Sequence, residues 1–158
     1  MLSFKVILLG DATTGKSSII DRYIKDSFDS GVLNTVGPGF YSKAIEIFDE
    51  FVKLHIWDTS GQEKYRAINQ TYFHDSDAAI LVYDLSNISS IDGVQYYFEQ
   101  IKDSCDENID LTVVGNKFDL VDKDDNGDIN MAKSKNDMHY NNARYFTSSA
   151  KTGKNISE

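Results

Sequence analysis

Cysteine is almost absent. Cys105 is the single one in 158 residues, which excludes an internal disulfide framework and suits a reducing compartment. A basic excess is missing too: 16 lysines and arginines face 25 aspartates and glutamates, for a net charge of −9. Nucleic acid and anionic membranes both require a basic face, so neither is an expected partner. A phosphate ligand would have to be held by local donors and a metal ion. No apolar run nears the ~20 residues of a membrane span. The apolar stretch within the first ten residues is used up by a predicted strand, so no signal peptide is expected. Arginine is scarce, with only Arg22, Arg66 and Arg144. The histidines His55, His74 and His139 lie far apart without metal-ligand spacing and read as structural or surface residues. What remains, 41% hydrophobic and 26% charged, is ordinary for a globular chain, and the length suits one domain over residues 1–158. No repeat or linker interrupts it.

The most informative stretch is Gly10-Asp11-Ala12-Thr13-Thr14-Gly15-Lys16-Ser17-Ser18. It fits G-x-x-x-x-G-K-[ST] with Gly10, Gly15, Lys16 and Ser17 at the defining positions. Phe4 to Leu9 before it reads as a short apolar strand, and Ile19 to Ile24 after it has helical spacing. In that context the backbone N–H groups of residues 11–18 converge on phosphate oxygens, helped by the helix N-terminus. Lys16 would bridge the outer phosphates and the Ser17 hydroxyl would ligate Mg²⁺.

Further along, residues 25–39 read as a loop, and 40–48 and 51–58 as strands joined by the two-residue gap Asp49-Glu50, hence a hairpin. Thr59 to Lys64 follows as a loop, with a poorly marked helix running on to Tyr72. Ala78 to Tyr83 and Leu111 to Val114 are continuous apolar runs suited to strands covered on both faces. Ser89 to Cys105 carries Ile91, Val94, Phe98 and Ile101 along one helical face. Val121 to Asn130 reads as a charged loop, 131–142 as a weak helix and Tyr145 to Thr147 as a last strand. Strands alternating with helices predict an α/β fold with a mostly parallel six-stranded sheet, one antiparallel edge strand and helices on both faces. Ligands of such sheets bind beyond the carboxyl ends of the strands.

That rule selects three further groups. Asp58 ends a strand and can hold Mg²⁺ through its water shell. Gly61 offers a close-approaching N–H, and Gln62 has the donor and acceptor needed to orient an attacking water. Asn116-Lys117-Phe118-Asp119 follows another strand. The Asp119 carboxylate would accept two N–H bonds from guanine, whereas adenine presents the wrong pattern. Ser149, Ala150 and Lys151 follow the last strand.

Taken together, residues 10–17, Asn34-Thr35-Val36-Gly37, Trp57-Asp58-Thr59-Ser60-Gly61-Gln62, Asn116-Lys117-Phe118-Asp119 and Ser148-Ser149-Ala150-Lys151 resemble, in order and spacing, the five nucleotide-binding elements of Ras-like small GTPases. Residues 53–59 and 61–66 look like the Rab branch. The resemblance implies the P-loop NTPase fold, GTP/GDP and Mg²⁺ as ligands, slow hydrolysis of GTP and a two-state switch in vesicle traffic. Thr35 would place its hydroxyl on Mg²⁺ and its N–H on the γ-phosphate, beside Ser17 and Asp58 as metal ligands. Gln62, Lys16 and Thr35 would be the catalytic set. Phe28 would cover the guanine, Lys117 and Lys151 would pack along it, Asn116 would tie the loops together and the Ala150 N–H would meet the base carbonyl. Exchange factors, activating proteins and effectors would bind around residues 30–40 and 57–73. Phe40, Trp57 and Tyr65 match effector-contacting positions, with a core role as the other reading of Trp57.

Ala12 and Thr13 depart from the family's usual small residues and crowd the γ-phosphate. A hydrolysis-deficient, nucleotide-holding scaffold is therefore the alternative to the hydrolysing switch; an ATP-using P-loop kinase is disfavoured by Asp119. Family members continue through a C-terminal helix to a prenylated tail, whereas this sequence stops at Glu158, so that helix is expected to be truncated. Any membrane association would run through such a tail; a cytoplasmic monomer on the face of endomembranes is the expectation. Finally, residues 122–129 resemble the start of an EF-hand loop, but Lys133 occupies the position of the bidentate Glu, which argues against calcium.

Overall fold

The computed structural model of the chain describes residues 2–31, 38–59, 61, 70–121 and 142–158. The strands are β1 (Leu2–Leu9), β2 (Gly39–Ile47), β3 (Glu50–Asp58), β4 (Ala78–Asp84), β5 (Asp110–Asn116) and β6 (Arg144–Thr147), with helices α1 (Lys16–Lys25) and α2 (Ile91–Ser104). They form one six-stranded sheet in the order β2-β3-β1-β4-β5-β6. Every pairing is parallel except β2 with β3. The expected mostly parallel sheet with one antiparallel edge strand is therefore present.

The order has a functional consequence. β1 is central, with β3 on one side and β4 on the other. The chain leaves β1 for one half of the sheet and later returns to build the other half. The crevice at such a reversal is where open α/β sheets bind ligands, and here it lies at the carboxyl end of β1, where residues 10–18 begin.

Alternation along the strands sends side chains to two cores. Ile7, Leu9, Leu81, Tyr83 and Val113 pack with Ile91, Val94, Tyr97 and Ile101 of α2. On the other face, Leu8 and Ile56 pack with Ile20 of α1, joined by Tyr23, Ile24, Leu54 and Ile80. Helices thus cover both faces. Burial of Ile20, 2% exposed, contributes about 2–3 kcal/mol to seating α1.

Several boundaries differ from the sequence reading. α1 starts at Lys16 rather than Ile19, because Gly15 at φ 98 turns the chain directly into the helix. α2 begins after a 3-10 turn, Ile88–Ser90, and Cys105 stands just past its last residue with extended backbone. The buried stripe of α2 uses Tyr97 where Phe98 was expected; Phe98 is only partly buried. The hairpin turn is Phe48-Asp49, since Ile47 pairs with Glu50. Both turn residues have positive φ, 51 and 63, as a two-residue type I′ turn demands. The expected helix at 131–142, the charged loop up to Asn130 with its EF-hand-like start, and most of the helix expected before Tyr72 lie outside the described residues.

Candidate functional site

At the carboxyl end of β1 the backbone of Gly10 takes φ 151, and a Cβ there would sit 2.1 Å from the Val82 carbonyl oxygen. Only glycine lets the loop leave the sheet this close to β4. Gly15 is similarly constrained: a Cβ would fall 2.3 Å from Asn116 Nδ2. As the residue before α1 it has no side chain to cap the helix, and the positive end of the helix dipole there favours an anion.

This helix start faces a cavity of about 360 Å³ at the strand ends. Ala12, Thr13, Gly15, Lys16, Ser17 and Ser18 line one end, and Gly61 closes over it. Asn116, Lys117, Asp119, Ala150 and Lys151 line the other end, with Phe28 at the side. Asp29, Ser30 and Leu120, not singled out from the sequence, also line it; their only sequence signal was adjacency to Phe28 and Asp119. Gly61 fits so tightly that a Cβ would lie 2.3 Å from the Ala12 nitrogen.

Lys16 is buried at the end formed by residues 12–18 and its ammonium donates to the Gly10 and Asp11 carbonyls, both at 2.8 Å. Burial lowers its pKa to about 8, against the opposing pull of Asp58 and Asp11. Beside it the Ser17 hydroxyl donates to Asp58 Oδ2 at 2.5 Å. Burial pushes the Asp58 carboxyl pKa up, an effect moderated by Ser17 and Lys16. Asp58 Oδ1 is buried with no hydrogen-bond partner among the described residues. A hydroxyl and a carboxylate side by side, one oxygen unsatisfied, are hard oxygen donors suited to Mg²⁺. The donor set fits that ion.

The end of the cavity near Asp119 is built by Asn116. Its Nδ2 donates to the Thr14 carbonyl at 3.0 Å, while its Oδ1 accepts from Ser148 Oγ at 3.1 Å and the Ala150 N–H at 3.3 Å. One amide thus joins the phosphate loop, β5 and the last loop. Ser149 Oγ donates to Asp119 Oδ1 at 2.6 Å and accepts from the Thr152 N–H, which fixes the carboxylate. Lys117 takes a left-handed backbone, φ 64, and its ammonium pairs with Asp84 Oδ2 at 2.8 Å.

Not every expected residue faces the cavity. Asp11, Thr14, Asp58 and Ser149 are absent from its lining. The Asp11 carboxylate is packed against α2, where a Cβ on Gly93 would lie 2.3 Å from it. Thr14 Oγ1 donates to the Asp11 carbonyl. The Asp11, Thr14 and Ser149 side chains shape the loops, while Asp58 meets the lining through Ser17. Thr35 and Gln62 lie outside the described residues, as does Tyr65.

Two supports carried no sequence signal. Arg22 Nε donates to the Ala150 carbonyl at 2.8 Å and Nη2 to the Lys151 carbonyl at 2.7 Å. Asp84, at the end of β4, holds Lys117 and also accepts from the Ser86 N–H and hydroxyl. Outside the cavity Trp57 is partly buried against the α2-side core. Its ring lies 4.9 Å from Phe40 and 4.8 Å from Tyr72, so it serves the core while bordering the half-exposed Phe40. Among the described residues no helix is long and apolar enough to cross a membrane.

Comparison with known proteins agrees with this layout. The model described as Ras family matches residues 5–158. The GTP-binding protein YPT53 of Saccharomyces cerevisiae is 36% identical over 98% of this chain and 72% of its own length. The Ras-related protein RABA4a of Arabidopsis thaliana is 40% identical over 76% of this chain and 53% of its own length. With the match running nearly end to end, and with those relatives, the chain belongs to the Ras family, as a small GTPase of the Rab type.

Proposed function

We propose that this chain is a guanine-nucleotide switch of vesicle traffic, which binds GTP and GDP with Mg²⁺ at the end of β1 and slowly hydrolyses GTP. The observation that carries the reading is one cavity with a glycine-led helix start and Lys16 at one end and Asp119 at the other. The first needs an anion, the second a base edge with two donors.

Each described group has a task. Lys16 exchanges the Gly10 and Asp11 carbonyls for outer phosphate oxygens. Ser17 and Asp58, with Thr35, would hold Mg²⁺. When bound, that ion neutralises charge on the phosphate oxygens. Asp119 reads guanine, oriented by Ser149, while Phe28, Lys117 and Lys151 enclose the base. Gln62 orients the attacking water. The segments around residues 30–40 and 60–73 are the switches that exchange factors, activating proteins and effectors read.

Hydrolysis is slow without help because neither arginine among the described residues serves the phosphates. Arg22 is committed to the Ala150 and Lys151 carbonyls, Arg144 pairs with Asp110, and none lies between Phe28 and Thr35. An arginine at the transferring phosphoryl group is worth about 10³–10⁵ in rate, so an activating protein supplies it. The protein works on the cytoplasmic face of endomembranes.

The test is nucleotide selection followed by a single turnover. The parent chain prefers GTP to XTP by several kcal/mol, and Asp119→Asn reverses the preference, since an amide N–H then faces guanine's own donors. Release of γ-phosphate is slow alone and accelerates with a Rab-activating protein. An Asp119→Asn variant that still prefers GTP, or a parent chain that never releases phosphate, overturns the reading.

A further inference from the structure

The end of the β2–β3 hairpin, remote from the nucleotide cavity, breaks the local rules of its own turn. A type I′ turn places two residues at positive φ, which favours Asn-Gly or Asp-Gly. Here Phe48 holds the first of those positions at φ 51, a conformation costly for a bulky aromatic. It gains no burial in return, being 97% exposed. Its neighbours repeat the pattern: Phe51 is 60% exposed and Ile47 44%. A residue that suits neither its backbone nor its solvent points to a role outside the fold.

The charges at the tip are of one sign. Asp49 completes the turn, Glu50 pairs with Ile47 and Glu46 with Phe51. Each apolar side chain therefore has a carboxylate beside it, and the nearest base on the Phe51 face is Lys53, two residues along β3. Such a tip is repelled by anionic lipid and by its own copies, and complements a basic surface.

We propose that the tip of this hairpin is a docking knob for a partner protein whose apolar socket is rimmed by lysine and arginine side chains. Phe48 is the anchor that enters the socket, flanked by Ile47 and Phe51, while Glu46, Asp49 and Glu50 meet the rim. The surface is independent of the nucleotide reading, and its geometry is set by register and turn alone.

The test places a photo-crosslinking p-benzoylphenylalanine at position 51 of the full chain in cells. The adduct is identified, and that protein is purified and titrated against the chain. Binding should weaken about tenfold with Phe48→Asn plus Asp49→Gly, as for loss of an aromatic anchor. It should weaken similarly with Glu46→Lys plus Glu50→Lys, and in raised salt. The Phe48→Asn, Asp49→Gly variant should melt at the same temperature or higher, because that pair suits the turn. A lower melting temperature would show that Phe48 serves the fold and would overturn the proposal. So would an adduct only with a second copy of the chain, no adduct, or binding indifferent to charge reversal. Phe48-dependent sedimentation with phosphatidylserine–phosphatidylcholine vesicles would overturn it in favour of a membrane.

Discussion

Arg22 sends one guanidinium to three places: the Ala150 carbonyl, the Lys151 carbonyl and Asp26. The first two belong to the loop that lines the cavity near Asp119, so the last turn of α1 anchors that loop. Hydrogen bonds from a charged group contribute about 1.5–3 kcal/mol each. Arg22→Ala is therefore expected to speed GDP release by about tenfold or more. Arg22→Lys should recover only part, because an ammonium cannot span two carbonyls as a planar fork does. Stopped-flow release of a fluorescent GDP measures both. Unchanged release together with a lower melting temperature would reduce the tether to a role in folding.

Among the elements, Asn116 is where the loops meet. It ends β5 and couples the Thr14 carbonyl, the Ser148 hydroxyl and the Ala150 N–H, all buried. Asn116→Ala strands these polar groups, at about 1–3 kcal/mol for each left unsatisfied. A loss of about 3 kcal/mol or more in stability is expected, read as a lower urea midpoint at unchanged slope. A shift below 1 kcal/mol would mean that the three loops hold their places without the amide. The hairpin shows how an element's register arises. The alternation of Val52, Leu54 and Ile56 marks β3 as a strand with two unlike faces. The turn sits one residue earlier than the apolar pattern suggests, because pairing of Ile47 with Glu50 leaves Phe48-Asp49 between them.

The whole molecule carries a cost at its candidate site, and pH exposes it. The folded Lys16 has a pKa of about 8, below its ordinary 10.5. Between those values the unfolded chain binds the proton that the folded one has released, so stability rises with pH across that window. The full effect is on the order of 3 kcal/mol. Burial raises the pKa of the Tyr23 and Tyr41 phenols, but both are present in a Lys16→Met variant. In nucleotide-free protein with EDTA, parent minus Lys16→Met stability should climb from pH ~8 to ~10.5. Added GDP should flatten the climb, because the phosphates keep Lys16 charged. A flat difference without nucleotide would show that Lys16 is not desolvated. Denaturant melts across that range decide it.

The sequence alone marked the glycine-bounded loop at residues 10–18, the strand ends, the Asn116–Asp119 group and the Rab-like pattern. Each depends on residues near one another in the chain, where glycine placement, apolar periodicity and charge carry the chemistry. The mostly parallel sheet was legible for the same reason: continuous apolar strands alternating with helical spacing admit few other packings. Tertiary structure alone decided which loop residues face the cavity and which brace it. Asp11 turns to Gly93 in α2 and Ser149 to Asp119, although both lie within the expected motifs. It also brought Arg22 to Ala150 and Asp84 to Lys117. Those contacts join residues far apart in the chain, and no periodicity or motif encodes the partner of a side chain across the strand order of a sheet. They exist because β1 sits between β3 and β4, which carries the ends of α1, β4, β5 and β6 to one rim.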